Sequence, residues 1–202
     1  MEYPTKREEN KLFKQGYKYV AGIDEAGRGA WAGPLVAAAV ILPKDFKLKG
    51  LNDSKKLSAK QRDDFFTIIT KNALAYYACI IPSKEIDKGG VGKANLLAIK
   101  KSAEGLKIKP DYILIDSFKV TWNDIPAKSI TKGDTKVIAI AAASVIAKVT
   151  RDRIMVQYHN KFPKYGFDKH KGYGTKEHHN NLKSYGITPI HRQSYQPIKE
   201  LM

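Results

Sequence analysis

The chain has 202 residues, of which 43% are hydrophobic and 28% are charged, so it is long enough for one sizeable folded domain and too hydrophobic for a disordered chain. Lysine and arginine number 36 against 20 aspartate and glutamate, which gives a net charge of +16. This charge is far more than solubility requires and indicates a polyanionic partner, with nucleic acid ahead of an anionic membrane surface.

In chain order, the elements predicted for the first half are a helix at residues 5–16, strands at 17–23 and 35–42, a helix at 58–72 and a strand at 75–81. Thr5 and Ser58 are each followed three residues later by Glu or Gln, which is the capping-box pattern of a helix N-terminus. A glycine-rich turn separates the first two strands, so we expect them to form a hairpin-like pair.

The second half is predicted to hold a helix at residues 93–106, strands at 112–115 and 127–130, a long helix at 137–161 and a helix at 175–186. The first part of the long helix is almost entirely Ile, Val and Ala, and we expect it to be buried. Thr175 is the expected N-cap of the last helix, and Gly186 is expected to end it.

This order of elements predicts an α/β protein with a mixed five-stranded sheet that helices cover on both faces. Residues 1–160 are predicted to form the core. Residues 161–202 are predicted to form a small basic helical lobe packed on that core. The last 55 residues, from Lys148 onward, hold 11 Lys and Arg against four Asp and Glu, interspersed with tyrosines, which is typical of surfaces that grip nucleic acid backbones. We expect the five histidines to lie at the surface, since the neighbours His178 and His179 face different directions on a helix and make a poor zinc chelate.

Cysteine usage and the N-terminus both favour a cytoplasmic protein. Cys79 is the only cysteine and lies in an apolar run, so we expect a buried thiol rather than a disulfide. The first 14 residues lack the apolar stretch of a signal peptide, and the longest uncharged stretch, residues 29–43, is too short to span a membrane.

Three acidic residues follow predicted strands, and a fourth precedes the long helix. Asp24 and Glu25 come directly after the first strand, Asp116 ends the fourth strand, and Asp134 lies shortly before residue 137. Open α/β sheets build their sites at the carboxyl ends of strands, so neighbouring strands would bring Asp24 and Asp116 close together. Each residue alone is more commonly a turn residue or a helix cap, and the prediction of a site depends on their combination.

A cluster of these carboxylates requires a cation. Two carboxylates about 4 Å apart repel by about 4 kcal/mol at an effective dielectric constant of 20. Oxygen ligands without paired cysteines or histidines favour Mg²⁺ or Mn²⁺ over zinc. Two such ions held about 3.5–4 Å apart are a known arrangement for phosphodiester hydrolysis, which agrees with a nucleic acid partner.

Short motifs occur in a fixed order from about residue 17 to residue 196. They are Asp24-Glu25-Ala26-Gly27-Arg28-Gly29, Ala32-Gly33-Pro34, Asp53-Ser54-Lys55-Lys56-Leu57, Ile115-Asp116, Lys132-Gly133-Asp134, the run from Ala142 to Arg153, His170-Lys171-Gly172-Tyr173-Gly174-Thr175 and His191-Arg192-Gln193-Ser194-Tyr195. In order and spacing this series resembles the ribonuclease HII family. Ala30-Trp31 departs from the pattern, because the family usually has Pro or Cys followed by Leu there.

The resemblance implies a ribonuclease H-like fold and an endoribonuclease that cleaves RNA in RNA·DNA hybrids. It also implies cleavage on the 5′ side of single ribonucleotides embedded in duplex DNA, which leaves a 3′-hydroxyl and a 5′-phosphate. By position, Asp24, Glu25, Asp116 and Asp134 would be the catalytic acids and would hold two divalent ions, Mg²⁺ or Mn²⁺.

The resemblance further implies that the Gly27-Arg28-Gly29 backbone reads the ribonucleotide 2′-hydroxyl, that Tyr173 stacks on the following deoxyribose, and that Lys55 contacts a phosphate. Glycines let the main chain approach a sugar edge, and the 2′-hydroxyl is the group that distinguishes RNA from DNA. Without the resemblance, Tyr173 is best interpreted as a packing residue of the lobe and Lys55 as a solvated charge.

Several alternatives stay open from the residues alone. The chain could be a hybrid-binding module without catalysis, or a two-metal nuclease that acts on DNA alone. Lys148, Arg151 and Arg153 either form a salt-bridged helix face or contact phosphate. The expected partners are RNA·DNA hybrid and ribonucleotide-containing duplex DNA, with the protein a monomer away from membranes. Whether a replication clamp binds it is left open.

Overall fold

The computed structural model describes residues 3–122 and 124–202 and contains the five predicted strands. They are β1 Val20–Ala26, β2 Leu35–Ile41, β3 Ala75–Ile81, β4 Tyr112–Asp116 and β5 Ala127–Ile130. β1 begins at Val20 rather than at residue 17, because the amides of Lys18 and Tyr19 donate hydrogen bonds to the carboxylate of Asp111. β1 therefore extends through the pair of acids at residues 24 and 25.

The strand order across the sheet is β3-β2-β1-β4-β5. β1 and β2 are antiparallel, as are β2 and β3, whereas β1–β4 and β4–β5 are parallel. The prediction of a mixed five-stranded sheet is confirmed. Because β1 and β4 are parallel neighbours, their carboxyl ends meet at one edge of the sheet.

The helices are α1 Arg7–Lys14, α2 Ala59–Asn72, α3 Ser83–Glu104, α4 Ile138–Lys161, α5 Phe167–His170, α6 Lys176–Tyr185 and α7 Gln196–Lys199. Short 3₁₀ turns lie at Ser54–Lys56, Gly133–Thr135 and Pro163–Tyr165. The predicted capping box at Ser58 is confirmed. Thr175 caps α6 as predicted, since its hydroxyl accepts a hydrogen bond from the amide of His178 at 3.2 Å.

Two predicted helix N-termini are wrong. α1 begins after Lys6 instead of using Thr5 in a capping box, because Thr5 pairs with Val137 in an extended bridge. α3 begins at Ser83 rather than at residue 93. It consists of two helical segments joined at Gly90, where φ is 77° and ψ is 159°, and the glycines around this break conceal the helical periodicity of the first segment.

Helices cover both faces of the sheet, as predicted. Alternate residues of β2 face opposite sides, and all of them are buried. Ala37 and Ala39 pack with the core that α3 covers, which also holds the buried Cys79, whereas Val36 and Ala38 pack against α2 and α4. The first half of α4 is buried as expected, and among the described residues no helix, α4 included, is long and apolar enough to cross a membrane.

The C-terminal helices form a small hydrophobic cluster of their own. Phe167 of α5 and Ile198 of α7 are fully buried there, together with Leu182 of α6. Met155 of α4 and Ala32 of the segment before β2 belong to the same cluster, so the C-terminal helices pack directly on the rest of the protein. The division of the chain at residue 160 stays a prediction.

The expectation that the histidines lie at the surface is wrong for three of them. His178, His191 and His170 are buried, and the rings of His170 and His178 stack 4.4 Å apart. A buried imidazole is tolerated when its ring nitrogens have hydrogen-bond partners. Nδ1 of His178 lies 3.0 Å from the carbonyl oxygen of Tyr173, and Nδ1 of His191 lies 2.8 Å from the amide of Thr188.

These buried histidines predict an acid-sensitive contribution to stability. Burial lowers the pKa of His178 and of His191 to about 4, from an ordinary value of 6.5. The unfolded chain therefore binds more protons than the folded one as the pH falls from 6.5 to about 4, and the free energy of unfolding falls with it. His178→Phe, which removes one of these groups, is expected to reduce that slope in urea titrations across this range. His179→Phe on the same helix is the control, and equal slopes in wild type and His178→Phe would contradict the prediction.

Candidate active site

Three carboxylates meet where β1 and β4 end. Asp24 lies near the end of β1, and Asp116 is the last residue of β4, which pairs with β1 so that Ile23 is opposite Ile115. Asp134 lies in the 3₁₀ turn before α4. One carboxylate oxygen of each acid lies within 4.8 Å of the others. The structure thus brings together three of the four acids that the sequence singled out.

Local backbone geometry holds these side chains in place. Oδ1 of Asp116 accepts hydrogen bonds from the amide of Gly133 at 2.6 Å and from the hydroxyl of Ser117 at 3.1 Å. Lys132 is in the left-handed region with a φ of 55°, and this turn brings Gly133 to Asp116 and Asp134 to the cluster. The carboxylate of Asp116 is therefore oriented by two donors from two different segments.

Burial and mutual repulsion disfavour the ionised acids. Burial raises the pKa of Asp24 well above its ordinary value, and the charges of Glu25 and Asp116 add to this effect. The pKa of Asp134 is raised to about 6 by burial and by the charges of Asp53 and Asp116. A divalent cation would favour the ionised form of every member of such a cluster. The donors are all carboxylate oxygens, which fits Mg²⁺ or Mn²⁺.

Lys55 extends toward the acids from the 3₁₀ turn at Ser54–Lys56. Burial disfavours its charge, but the carboxylates of Asp53, Asp24 and Asp134 outweigh burial and raise the pKa of Lys55. Asp53 caps the same turn by accepting a hydrogen bond from the amide of Lys55 at 2.9 Å. Sequence reasoning missed Asp53 as a neighbour of Asp134, and its place beside Lys55 in the Asp53-Ser54-Lys55 motif was the available signal.

Glu25 lies outside the group of three carboxylates found in the described residues, because neighbouring side chains on a strand point to opposite faces. Burial raises the pKa of Glu25. The positive charge of Arg28 and the amide of Asn95 lower it in part, and Nη1 of Arg28 lies 3.7 Å from Oε1 of Glu25. Asn95 of α3 is fully buried. Within the described residues, its amide atoms and Oε2 of Glu25 make no hydrogen bond of ordinary geometry. A lone asparagine in a helix carries no sequence signal, so Asn95 is not among the predicted site residues.

An open cleft of about 750 Å³ lies beside the acids. Its lining includes the predicted residues Asp24, Glu25, Gly27, Arg28, Gly29, Lys55 and Tyr173, together with Lys148 and Tyr195. The glycine loop, the lysine and the tyrosine that the family resemblance singled out therefore share one cleft with two of the four acids.

Arg151 supports the glycine loop from inside the protein. It is fully buried and donates hydrogen bonds to the carbonyl oxygens of Pro34 at 2.9 Å and Ala32 at 3.1 Å. Both predicted alternatives are wrong for this residue, since it forms no ion pair among the described residues and its burial excludes phosphate. Lys148 forms the predicted ion pair within the helix, with Asp152 at 2.8 Å, whereas Arg153 pairs at 3.0 Å with Asp63 of α2 rather than within its own helix.

The loop geometry requires a glycine at position 27. Gly27 has a φ of +93°, and a Cβ atom there would lie 2.1 Å from Nε of Arg151. The next carbonyl in the loop, that of Arg28, accepts hydrogen bonds from Nη1 of buried Arg192 at 3.0 Å and from the hydroxyl of Tyr195. Arg192 therefore holds the loop at Arg28, while Arg151 packs against Gly27 and bonds to the segment that follows the loop.

Tyr173 is half-buried and lies against two cations. Its ring centroid is 5.1 Å from the Arg151 guanidinium carbon and 5.6 Å from Nζ of Lys148. The unusual Trp31 packs away from the cleft, 5.5 Å from the ring of His178 and against Gly174, where a Cβ atom would lie 2.2 Å from the indole. The Ala30-Trp31 departure therefore affects packing of the C-terminal helices more than the lining of the cleft.

Comparison with known proteins agrees with this geometry. A family model described as Ribonuclease HII matches residues 21–198. A Ribonuclease HII of Clostridioides difficile is 52% identical over 187 residues, which cover 93% of this chain and 73% of that relative. The ribonuclease H2 from Pyrococcus horikoshii has a TM-score of 0.78 at 28% identity, covering 91% of this chain and 97% of that chain. The RNase HII of Archaeoglobus fulgidus, solved in a complex with PCNA, has a TM-score of 0.77 at 27% identity and covers 89% and 96%.

The mixed sheet, its flanking helices and the carboxylates at the ends of β1 and β4 define a ribonuclease H-like enzyme, a metal-dependent hydrolase. Matched along nearly its whole length, the chain belongs to the ribonuclease HII family, which cleaves RNA in RNA–DNA hybrids. The fold and family that the sequence motifs predicted are confirmed.

Proposed function

We propose that this protein is an endoribonuclease that hydrolyses the RNA strand of RNA·DNA hybrids and cuts on the 5′ side of single ribonucleotides embedded in duplex DNA, leaving a 3′-hydroxyl and a 5′-phosphate. The observation that carries the proposal is the group of three carboxylates, with oxygens within 4.8 Å of one another, beside a cleft that the glycine loop and Tyr173 line. The net charge of +16 supports binding of a polyanionic duplex.

Asp24, Asp116 and Asp134 would hold two divalent ions, Mg²⁺ or Mn²⁺, with Glu25, which lines the same cleft as Asp24, as a further ligand. When bound, such ions supply an activated water and neutralise the charge that develops on the phosphate oxygens. The chain's own contribution is orientation, because Gly133 and Ser117 fix the carboxylate of Asp116 before substrate arrives. Lys55 would contact a phosphate beside the acids, since those acids keep it charged.

Ribonucleotide recognition would lie in the glycine loop and Tyr173. Gly27 and Gly29 line the cleft without side chains of their own, and a backbone amide or carbonyl can bond a 2′-hydroxyl that deoxyribose lacks. Arg192 bonds to the carbonyl of Arg28 and Arg151 packs against Gly27, so this backbone is positioned before substrate binds, which lowers the cost of discrimination. Tyr173 would stack on the deoxyribose that follows the ribonucleotide.

A cleavage assay with three 5′-labelled substrates tests the proposal. The substrates are a duplex with one ribonucleotide, a long RNA·DNA hybrid and an all-DNA duplex, each with and without Mg²⁺. We expect Mg²⁺-dependent cleavage of the first two and none of the third. Equal cleavage of the all-DNA duplex would favour a DNA nuclease, and binding without product would favour a non-catalytic module.

Tyr173→Ala is expected to lower kcat/KM about tenfold more on the single-ribonucleotide duplex than on the long hybrid, because the proposed contact is with the deoxyribose that follows the ribonucleotide, and a tenfold loss corresponds to about 1.4 kcal/mol of transition-state stabilisation. The exposed Tyr185 of α6 provides the control substitution Tyr185→Ala. Rates on both substrates, measured at matched protein stability, check the prediction. Equal losses on the two substrates would remove the role proposed for Tyr173.

Mn²⁺ or Mg²⁺ is expected to raise the unfolding temperature of the protein in the absence of nucleic acid. A ligand at about 100 times its Kd stabilises the folded state by about 2.7 kcal/mol, which corresponds to several degrees for a chain of this size. Thermal melts with and without metal measure the shift. In Asp24→Asn the shift is expected to be smaller, and an undiminished shift there would place the metal elsewhere.

We further propose that residues 161–202 act as a basic lobe that grips the duplex, that the protein is a monomer, and that it works in the cytoplasm. RNA·DNA hybrid and ribonucleotide-containing DNA are the proposed partners. A replication clamp is a further candidate, because the Archaeoglobus fulgidus relative was solved in a complex with PCNA. Binding of a purified clamp to this chain, measured by calorimetry, tests that partner.

A further inference from the structure

Two buried histidines connect Tyr173 to the last part of the chain. Nδ1 of His178 lies 3.0 Å from the carbonyl oxygen of Tyr173, and Nε2 of His178 lies 3.0 Å from Nε2 of His191. Nδ1 of His191 lies 2.8 Å from the amide nitrogen of Thr188. Thr188, His191, His178 and Tyr173 therefore form one continuous chain of hydrogen bonds, which we call the histidine chain.

The proton positions in the histidine chain follow from its two ends. At the Thr188 end, Nδ1 of His191 lies 2.8 Å from the amide nitrogen, 2.9 Å from the hydroxyl and 3.3 Å from the carbonyl oxygen of Thr188, and the shortest of these contacts, from a group that can only donate, makes Nδ1 the acceptor and places the proton of that ring on Nε2. Nε2 of His191 then donates to Nε2 of His178, which leaves the proton of His178 on Nδ1, where it donates to the carbonyl of Tyr173. Both rings are neutral, and every hydrogen bond of the histidine chain is donated in the same direction, from Thr188 toward Tyr173.

The surroundings favour the neutral rings. His170 stacks on His178 at 4.4 Å and is itself held, since its Nδ1 accepts from the amide of Gly172 at 3.1 Å and its Nε2 lies 2.7 Å from the carbonyl oxygen of Tyr165. The ring of Phe167 contacts the edge of His178 at 5.6 Å between centroids. Burial lowers the pKa of His178 and of His191 to about 4, in agreement with neutral rings at neutral pH.

We propose that His178 and His191 are positioning residues that fix the backbone of Tyr173 and thereby the place of its ring in the cleft. The backbone is held by the histidine chain on one side, and the ring rests against Arg151 and Lys148 on the other. The inference rests on the proposed function, in which Tyr173 contacts the sugar beside the ribonucleotide. It extends the recognition site to two residues that do not line the cleft in the described part of the chain.

The first test needs no substrate and is therefore independent of the proposed function. The probe is the ¹⁵N spectrum of histidine-labelled protein at pH 6, in which the chemical shifts of the ring nitrogens report the tautomer. We expect His178 as the Nδ1–H form and His191 as the Nε2–H form, both neutral. An Nε2–H form of His178, or a charged ring at either position, would overturn the histidine chain.

The second test separates positioning from stability. His178→Phe keeps an aromatic ring, although a larger one, and removes both hydrogen bonds, whereas His178→Asn keeps a donor near the place of Nδ1. We expect His178→Phe to lose about tenfold in kcat/KM on the single-ribonucleotide duplex, and His178→Asn to recover most of this loss. His179→Phe on the same helix is the matched control, because it measures the cost of the same exchange outside the histidine chain, and the tenfold loss is expected relative to it.

A double substitution identifies the route by which His178 acts. If it acts through Tyr173, then adding His178→Phe to Tyr173→Ala causes no further loss, because the ring to be positioned is already absent. The proposal would be overturned if the double variant lost the product of the two single losses in kcat/KM. It would also be overturned if His178→Asn were as slow as His178→Phe at an equal unfolding temperature. A wild-type protein that leaves the single-ribonucleotide duplex uncut would refute the proposed function, and the ¹⁵N spectrum would still decide whether the histidine chain exists.

Discussion

Asp116→Asn is expected to reduce cleavage of the single-ribonucleotide duplex by about a thousandfold or more, which corresponds to about 4 kcal/mol of transition-state stabilisation. Asparagine keeps an oxygen that can accept from Gly133 and Ser117, so the local fold is preserved. The substitution removes one negative charge from the group of three carboxylates that would hold the ions. Single-turnover rates at saturating Mg²⁺ measure the loss.

The same substitution is expected to raise the unfolding temperature of the metal-free protein. The acids repel one another, and the charge of Asp116 contributes to the raised pKa of Asp24. Removing that charge relieves repulsion in the folded state, so stability and activity change in opposite directions. Asp64→Asn, at an exposed acid that is paired with Lys60 on α2, removes one charge elsewhere and is the control. Near wild-type turnover in Asp116→Asn would remove the proposed mechanism.

Gly22→Ala is expected to destabilise the protein by about 3 kcal/mol or more, at the upper end of what overpacking a core costs. A Cβ atom at position 22 would lie 2.2 Å from the carbonyl carbon of Ala139 and 2.5 Å from the amide nitrogen of Ile140. Both contacts are backbone atoms of α4, so relief requires the whole helix to move away from β1. Urea unfolding of the metal-free protein measures the loss.

Gly92→Ala is the matched control for this experiment. Gly92 lies in α3, where an added Cβ atom meets open space, and alanine in a helix is more stable than glycine by about 1 kcal/mol. Gly22→Ala is therefore expected to lower the free energy of unfolding, and Gly92→Ala is expected to raise it. If Gly22→Ala has the same urea midpoint of unfolding as the wild type, then β1 and α4 do not pack as closely as they do in the structure.

Local patterns in the sequence predicted most of the elements. β3 and β5 have the predicted bounds, and the capping box at Ser58 begins α2 as expected. These features depend on residues close in sequence, such as alternating apolar side chains or a cap and its partner three residues later. The N-terminus of α1 was missed for the opposite reason, since Thr5 pairs with Val137 from a distant part of the chain.

The site residues also differ in whether the sequence near them predicts their place. Asp24 and Asp116 could be predicted because each follows an apolar strand, and parallel pairing then places them together. Asn95 could not, because nothing near it in sequence shows that α3 lies against Glu25. The buried His178 and Arg151 were misplaced, because polar residues are expected at the surface unless their distant hydrogen-bond partners are known.

By itself, the sequence determined the family, the strands and the acids, because motif order and hydrophobic period are local properties that a linear chain displays. Only the tertiary structure decided which groups surround the acids and the cleft: Asp53 beside Asp134, Asn95 beside Glu25, two arginines beneath the glycine loop and two histidines behind Tyr173. Those contacts join residues far apart in sequence. Burial, which sets both the pKa of an acid and the need of a polar group for a partner, exists only after the chain has folded.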